Sequence, residues 1–149
     1  MSKLFDPILI IYQIVALQCS YYLCLSTFFM ALHIIFFEGS LSLDQLFDDN
    51  AINFISATGL VNVGVTLLTS VIGAYLLSII VEKCKKCVDF TFTLYFIHIM
   101  TCWFYKEFPC AWEWWIVQIF AAITMGSLGE YFCAEKEMED LPLYTNGSN

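Results

Sequence analysis

Four long stretches of this chain contain no Asp, Glu, Lys or Arg. These charge-free runs are residues 7–37, 51–81, 90–105 and 114–129. A helix needs about 20 mostly apolar residues to cross the hydrocarbon core of a bilayer. The pattern therefore predicts an all-α membrane protein, a four-transmembrane-helix bundle. The predicted spans are approximately residues 7–37, 54–81, 88–105 and 112–133.

The first span has a recognisable start. Asp6 suits the N-cap position and Pro7 the first helical position. The apolar run that follows is longer than the 7–15 residues, roughly, of a cleavable signal peptide. We therefore expect it to remain in the protein as the first span.

The first loop, residues 38–50, predicts a short amphipathic helix. Residues 42–45, Ser-Leu-Asp-Gln, follow the order of a capping box. Leu43, Leu46 and Phe47 then share one helical face. Such a helix is expected to lie on the membrane surface.

Composition agrees with a membrane protein and excludes one class of partner. Hydrophobic residues make up 60% of the chain and charged residues 13%, and the mean hydropathy is +0.74. Soluble domains carry roughly 25% charged residues. The formal net charge of −8 argues against nucleic acid, which needs a basic surface.

The lysines predict the orientation, because positive charge accumulates in cytosolic loops. Only Lys106 falls on one side of the predicted bundle. The other side holds Lys3, Lys83, Lys85, Lys86 and Lys136. Both termini, the second loop and the 135–149 tail are therefore predicted to be cytosolic. The sequon at Asn146 would then stay unmodified.

Cys84 and Cys87 form a CxxC pair beside lysines, a spacing that redox-active thiols use. A four-helix membrane thiol oxidoreductase is therefore the alternative function. Against it, the predicted orientation puts both thiols in the cytosol, where disulfides are disfavoured. Zinc would need further ligands, and the two histidines, His33 and His98, lie inside spans. No metal site, no other cofactor and no catalytic residue is predicted.

Polar side chains inside the spans are expected to turn inward and hydrogen-bond between helices. They are Gln13, Gln18, His98 and Gln118. A proton or substrate path through His98 is the functional alternative, as in a small transporter. The chain shows no inverted repeat of the kind that transporters often have.

Three acids lie where predicted spans meet the cytosolic leaflet: Asp6, Asp89 and Glu130. Asp6 and Asp89 sit near helix N-termini, where negative charge is favourable. Glu130 is near a helix C-terminus and is expected to pair with Lys83 or Lys86. The alternative role for these acids is a docking site for a cytosolic partner.

Taken together, the motifs resemble the Sys family of small Golgi membrane proteins, nearly from end to end. The matching motifs are Asp6-Pro7 with Gln13, Gln18 and Tyr21-Tyr22; Ser42-Leu43-Asp44-Gln45-Leu46-Phe47-Asp48; Cys87-Val88-Asp89-Phe90-Thr91-Phe92-Thr93; His98; Cys102-Trp103-Phe104-Tyr105; Phe108-Pro109; Trp114-Trp115; Gln118; Gly129-Glu130-Tyr131; and Leu141-Pro142-Leu143.

The resemblance implies a non-enzymatic protein of the trans-Golgi membrane, without a small-molecule substrate. It implies a role in vesicle-mediated protein transport as the receptor for an Arf-related small GTPase whose N-terminus is acetylated. Our hypothesis is that four residues border the groove that receives this acetylated segment. They are Asp6, Asp89, Glu130 and Tyr131.

Overall fold

The computed structural model describes residues 6–36, 42–81 and 83–145, with side chains through residue 139. Seven helical elements follow one another within these residues. They are α1 (Pro7–Phe36), α2 (Asp44–Phe47), a 3₁₀ turn (Asp49–Ala51), α3 (Ala57–Val81), a second 3₁₀ turn (Cys84–Lys86), α4 (Cys87–Tyr105) and α5 (Trp112–Thr145).

Four of these segments are long and apolar enough to cross a membrane. They are Pro7–Phe36, Ala57–Val81, Cys84–Tyr105 and Trp112–Glu139. The predicted all-α fold with four candidate spans is confirmed. The helix α5 continues beyond residue 133, so part of the predicted 135–149 tail is helical. Where the bilayer boundaries cross these helices stays a prediction.

The bundle has two ends. The terminal end holds the start of α1, residues 83–86 and the last turns of α5. The loop end holds residues 42–56 and 106–111. At the terminal end, Gln13 Nε2 of α1 donates to the carbonyl oxygen of Ile80 in α3, at 2.9 Å.

The predicted start of α1 is confirmed. Its first residue is Pro7, and the backbone N–H of Ile8 donates to Asp6 Oδ1 at 3.1 Å. This side chain satisfies one of the amide groups that the first turn of a helix leaves without an intrahelical partner.

The helix α3 lies at the centre of the bundle, with its most extensive contacts to α5 and α1. Its buried face contains many small and polar residues, among them Thr66, Thr69 and Gly73. The two threonine hydroxyls donate to carbonyl oxygens one turn back in their own helix, at 2.9 and 2.8 Å. Small residues allow close helix packing in lipid, where apolar burial alone gives no drive for association.

The capping box predicted at residues 42–45 is wrong. Ser42 Oγ accepts from the N–H of Asp44 rather than of Gln45, and Leu43 takes the N-cap position without a side-chain hydrogen bond. The Gln45 amide instead donates to Nδ1 of His33, at 3.4 Å. A buried partner on α1 therefore outcompetes the local cap. Residues 38–41 of this loop lie outside the described residues.

Candidate functional site

Two of the four predicted partner-binding residues, Asp89 and Glu130, line grooves that open at the terminal end. The α1–α4 groove is a cavity of about 230 Å³, lined by Ile10, Ile14, Lys86, Asp89, Phe90 and Thr93. The carboxylate of Asp89 lies in the first turn of α4 and is exposed. Asp6 lies one turn before Ile10 on α1, on the same helix face.

The α4–α5 groove is a cavity of about 310 Å³ on the other side of α4. Its lining includes Val88, Thr91, Gly126, Ser127 and Glu130. Glu130 is the charged residue of this lining. Tyr131 follows it with 62% of its surface exposed. Asp89 and Glu130 therefore border different grooves rather than one.

The expected pairing of Glu130 with Lys83 or Lys86 is wrong. Across residues 6–36, 42–81 and 83–139, the ion pair that forms is Lys106 with Asp48 at the loop end. The loop before α4 is held on α5 in another way. The backbone N–H of Cys84 donates to Glu137 Oε1 at 3.2 Å.

The thiols of the CxxC pair are both free. Cys84 Sγ donates to the carbonyl oxygen of Glu130 at 3.5 Å, and Cys87 Sγ donates to that of Lys83 at 3.6 Å. Within the described residues, no group of three or more His, Cys, Asp or Glu side chains could hold a metal ion. Both thiols thus satisfy backbone carbonyl groups where the loop meets α5 and α4.

His98 lies in the interior of the bundle and is 2% exposed. Its Nδ1 is 3.0 Å from the Tyr22 hydroxyl, and its Nε2 is 3.8 Å from Cys102 Sγ. The Trp114 ring stacks on the imidazole, with 6.2 Å between centroids. Each ring nitrogen therefore has a partner inside the bundle.

The predicted interhelical glutamines differ in their surroundings. The side-chain amide of Gln13 joins α1 to α3. Both side-chain amide atoms of Gln18 are buried, and Gln18 lies one helical turn before Tyr22. Gln118 is 6% exposed, and its Oε1 has no hydrogen-bond partner among the described residues.

A set of polar contacts at the loop end was not predicted from the sequence. The Tyr105 hydroxyl donates to Asp44 Oδ1 at 3.1 Å, and Lys106 donates to Asp48. Asp49 Oδ2 accepts from the backbone N–H groups of Cys110 and Ala111, at 2.8 and 2.9 Å. We call these seven residues the loop clamp. It joins two loops about 60 residues apart in the chain, so no local sequence pattern could reveal it.

Charge complementarity within the loop clamp fixes the ionised state of its one ion pair. Burial alone would raise the pKa of Asp48, but hydrogen bonds from Lys106 and Asn50 outweigh it and lower that pKa to about 2. The same hydrogen bond raises the pKa of Lys106. The pair is therefore charged throughout the physiological pH range.

Comparison with known proteins identifies the family. A family model described as "Integral membrane protein S linking to the trans Golgi network" matches residues 1–143. The SYS1 homologue of Dictyostelium discoideum is 41% identical over 138 residues, which are 93% of this chain and 59% of that protein. This chain thus spans less than two thirds of the Dictyostelium relative. The SYS1 homologue of Nematostella vectensis is 34% identical over 148 residues, 99% of this chain and 93% of that protein. No solved structure matches.

The fold and the grooves define a small multi-pass membrane protein whose polar contacts serve mainly to join its helices and loops. The chain belongs to the SYS1 family. It is an integral membrane protein of the trans-Golgi network, from a family of membrane trafficking proteins. The resemblance seen in the sequence is confirmed.

Proposed function

We propose that this protein recruits an N-terminally acetylated, Arf-related small GTPase to the trans-Golgi membrane. The observation that carries the proposal is the α1–α4 groove. It combines apolar walls from Ile10, Ile14 and Phe90 with Lys86 and Asp89 in the same lining. The predicted orientation has this groove open to the cytosol, where such a GTPase resides.

Acetylation of the GTPase matters because it removes the charge of the N-terminal group that the groove must strip of water. A free N-terminal ammonium is costly to bury without a dedicated partner, whereas an acetylated terminus carries no charge. Within the lining itself, the opposite charges of Lys86 and Asp89 balance, so the lining has no net attraction for a cation. The acetyl carbonyl can accept from Lys86, and the amide N–H can donate to Asp89.

The α4–α5 groove is less suitable for such discrimination. Its charged lining residue is Glu130, which would attract an unmodified ammonium. We therefore assign the acetylated segment to the α1–α4 groove, with Asp6 at its edge. Glu130 and Tyr131 would contact the body of the GTPase instead.

A receptor is also needed for affinity. A single amphipathic segment binds a membrane weakly and reversibly, so stable and organelle-specific recruitment takes a second signal. A groove in a resident Golgi protein supplies that signal.

The test is GTPase localisation in cells whose only receptor is a variant that still reaches the Golgi. Asp89→Ala and Ile14→Trp, which fills the groove, should each disperse the GTPase into the cytosol. Glu130→Ala is the comparison variant and should have the smaller effect. A GTPase that cannot be acetylated should be dispersed with the unmodified receptor too. Normal Golgi recruitment with both α1–α4 variants would overturn the proposal.

A further inference from the structure

The start of α1 is the loosely packed wall of the α1–α4 groove. Ile10 and Ile14 line the groove from this helix and are only partly buried against the core. The buried side chains of α1 begin at Leu17, and none lies within residues 7–16. Apolar packing therefore fixes this wall less firmly than the rest of the helix.

The opposite wall of the groove is fixed by packing. Cys87, Phe90 and Thr91 in the first turns of α4 are all buried, and Phe90 itself lines the groove. Side chains in a close-packed interior cannot move without displacing their neighbours. A change in the width of the groove therefore comes from α1.

Gln13 supplies the specific attachment of the α1 wall. It lies one turn after Ile10 and directly before Ile14. Its Nε2 donates to the carbonyl oxygen of Ile80 on α3, at 2.9 Å. Among the described residues, this is the one hydrogen bond that joins residues 7–16 to another helix. The start of α1 is therefore attached to α3 rather than to α4.

The acceptor explains why this attachment is needed. Ile80 is the next-to-last residue of α3, and the last four carbonyl groups of an α-helix have no partner in their own helix. It also belongs to a candidate membrane span. A backbone carbonyl group in lipid has no water to bond with and needs another donor. Gln13 supplies that donor from the neighbouring helix.

We infer that Gln13 is the positioning residue of the α1–α4 groove. Its hydrogen bond with Ile80 holds the start of α1 against α3 and so sets the separation between this wall and α4. Gln13 does not belong to the lining, so it acts through the position of Ile10 and Ile14. The consequence for GTPase recruitment rests on the proposed function, whereas the position of the wall does not.

The experiment measures the distance between spin labels at Leu9 on α1 and Phe92 on α4, in the full chain in lipid nanodiscs. Both side chains are exposed and lie outside the lining of the groove. Noncanonical amino acids carry the labels, so the native cysteines stay in place. Gln13→Met keeps the length of the side chain but removes the donor, and should broaden the distance distribution towards larger separations. Gln13→Lys supplies a donor again and should restore it.

Thr27→Val is the matched control on the same helix. The Thr27 hydroxyl donates to the carbonyl oxygen of Leu23 within α1, at 2.7 Å, so its removal breaks no link between helices. The distance distribution should equal that of the unmodified protein. Identical distributions for Gln13→Met and Thr27→Val would overturn the inference, even if Gln13→Met lowers the thermal stability.

Binding of the purified, acetylated GTPase to the unlabelled variants separates this inference from the proposed function. Gln13→Met should weaken binding about threefold, the average effect of one hydrogen bond between membrane helices, since a population shift lowers affinity by no more than its own size. A shifted distance with binding unchanged in both Gln13→Met and Ile14→Trp would support the positioning role and contradict the proposed function. Loss of binding in Ile14→Trp alone, despite a shifted distance in Gln13→Met, would overturn the role of Gln13 in recruitment.

Discussion

The carboxylate of Asp48 holds two loops together at the loop end. Its side chain bonds with Lys106, the basic residue on that side of the predicted bundle. In the sequence alone, Lys106 bears only on the predicted orientation of the bundle. Its partner could not be predicted because 58 residues separate the two in the chain.

The pH dependence of this ion pair can be predicted with its sign. The pKa of Asp48 falls from 3.8 to about 2 on folding, so its contribution to stability is present above pH 3.8 and is lost as the pH falls towards 2. The pKa of Lys106 is raised above 10.5, so its contribution is present below pH 10.5 and is lost at higher pH. We expect Asp48→Asn to lower the thermal stability by a constant amount between these limits.

The measurement is thermal unfolding in detergent over a pH series, with Glu107→Gln as the control. Glu107 is an exposed acid next to Lys106, and its replacement should change little. The difference between the unmodified protein and Asp48→Asn should shrink below pH 3.8. A difference that grows in acid would contradict the assignment.

At the scale of elements, the helices themselves were predictable but their partners were not. A charge-free run of sufficient length in a membrane protein indicates a helix. The sequence does not show which face of such a helix packs against the other helices, because lipid-facing and core-facing residues are both apolar. On α3, by contrast, small and polar residues such as Thr66, Thr69 and Gly73 lie on the buried side. At residues 42–45 the cap pattern failed because His33, on the preceding helix α1, bonds with Gln45.

The contact between α3 and α5 depends on a glycine. A Cβ at Gly129 would lie 2.6 Å from Cδ2 of Leu77, and Leu77 is fully buried. Overpacking of this kind costs about 1–3 kcal/mol. We therefore expect Gly129→Ala to destabilise the bundle, measured as the loss of helical circular dichroism on heating in detergent.

Gly64→Ala is the matched control. It replaces a glycine of α3 whose Cβ would meet no atom within 4 Å. This change should be neutral or should stabilise the protein by up to about 1 kcal/mol, because alanine is the better helix former. Equal losses in the two variants would mean that helix propensity, and not close packing, governs the effect.

At the scale of the whole molecule, the even number of candidate spans places both termini at one end. The lysines predict that this end is cytosolic. A glycosylation acceptor inserted between Gly39 and Ser40 should then be modified in cells, whereas Asn146 should not be. The readout is a glycosidase-sensitive shift on a gel. Modification at Asn146 without modification of the inserted site would invert the topology and remove the α1–α4 groove from the cytosol.

The candidate site was predictable in part at this scale. The sequence predicted four residues at the cytosolic boundary, because charged residues at the ends of apolar runs are visible in a sequence. It could not tell that α4 separates Asp89 from Glu130, because that depends on which helices pack on either side of α4. The unpartnered state of Gln118 was equally hidden, since the sequence predicted an interhelical bond for it.

The loop clamp has a consequence for how the protein is made. Its three aspartates precede α3 in the chain, whereas their partners lie at the end of α4 or after it. During synthesis, the carboxylates of the first loop therefore remain solvated until residues 105–111 have been made and lie on the same side of the membrane as that loop. A nascent chain that ends before this point keeps that loop open. The clamp can close only after α4 has been inserted, so its closure marks the correct placement of the third span.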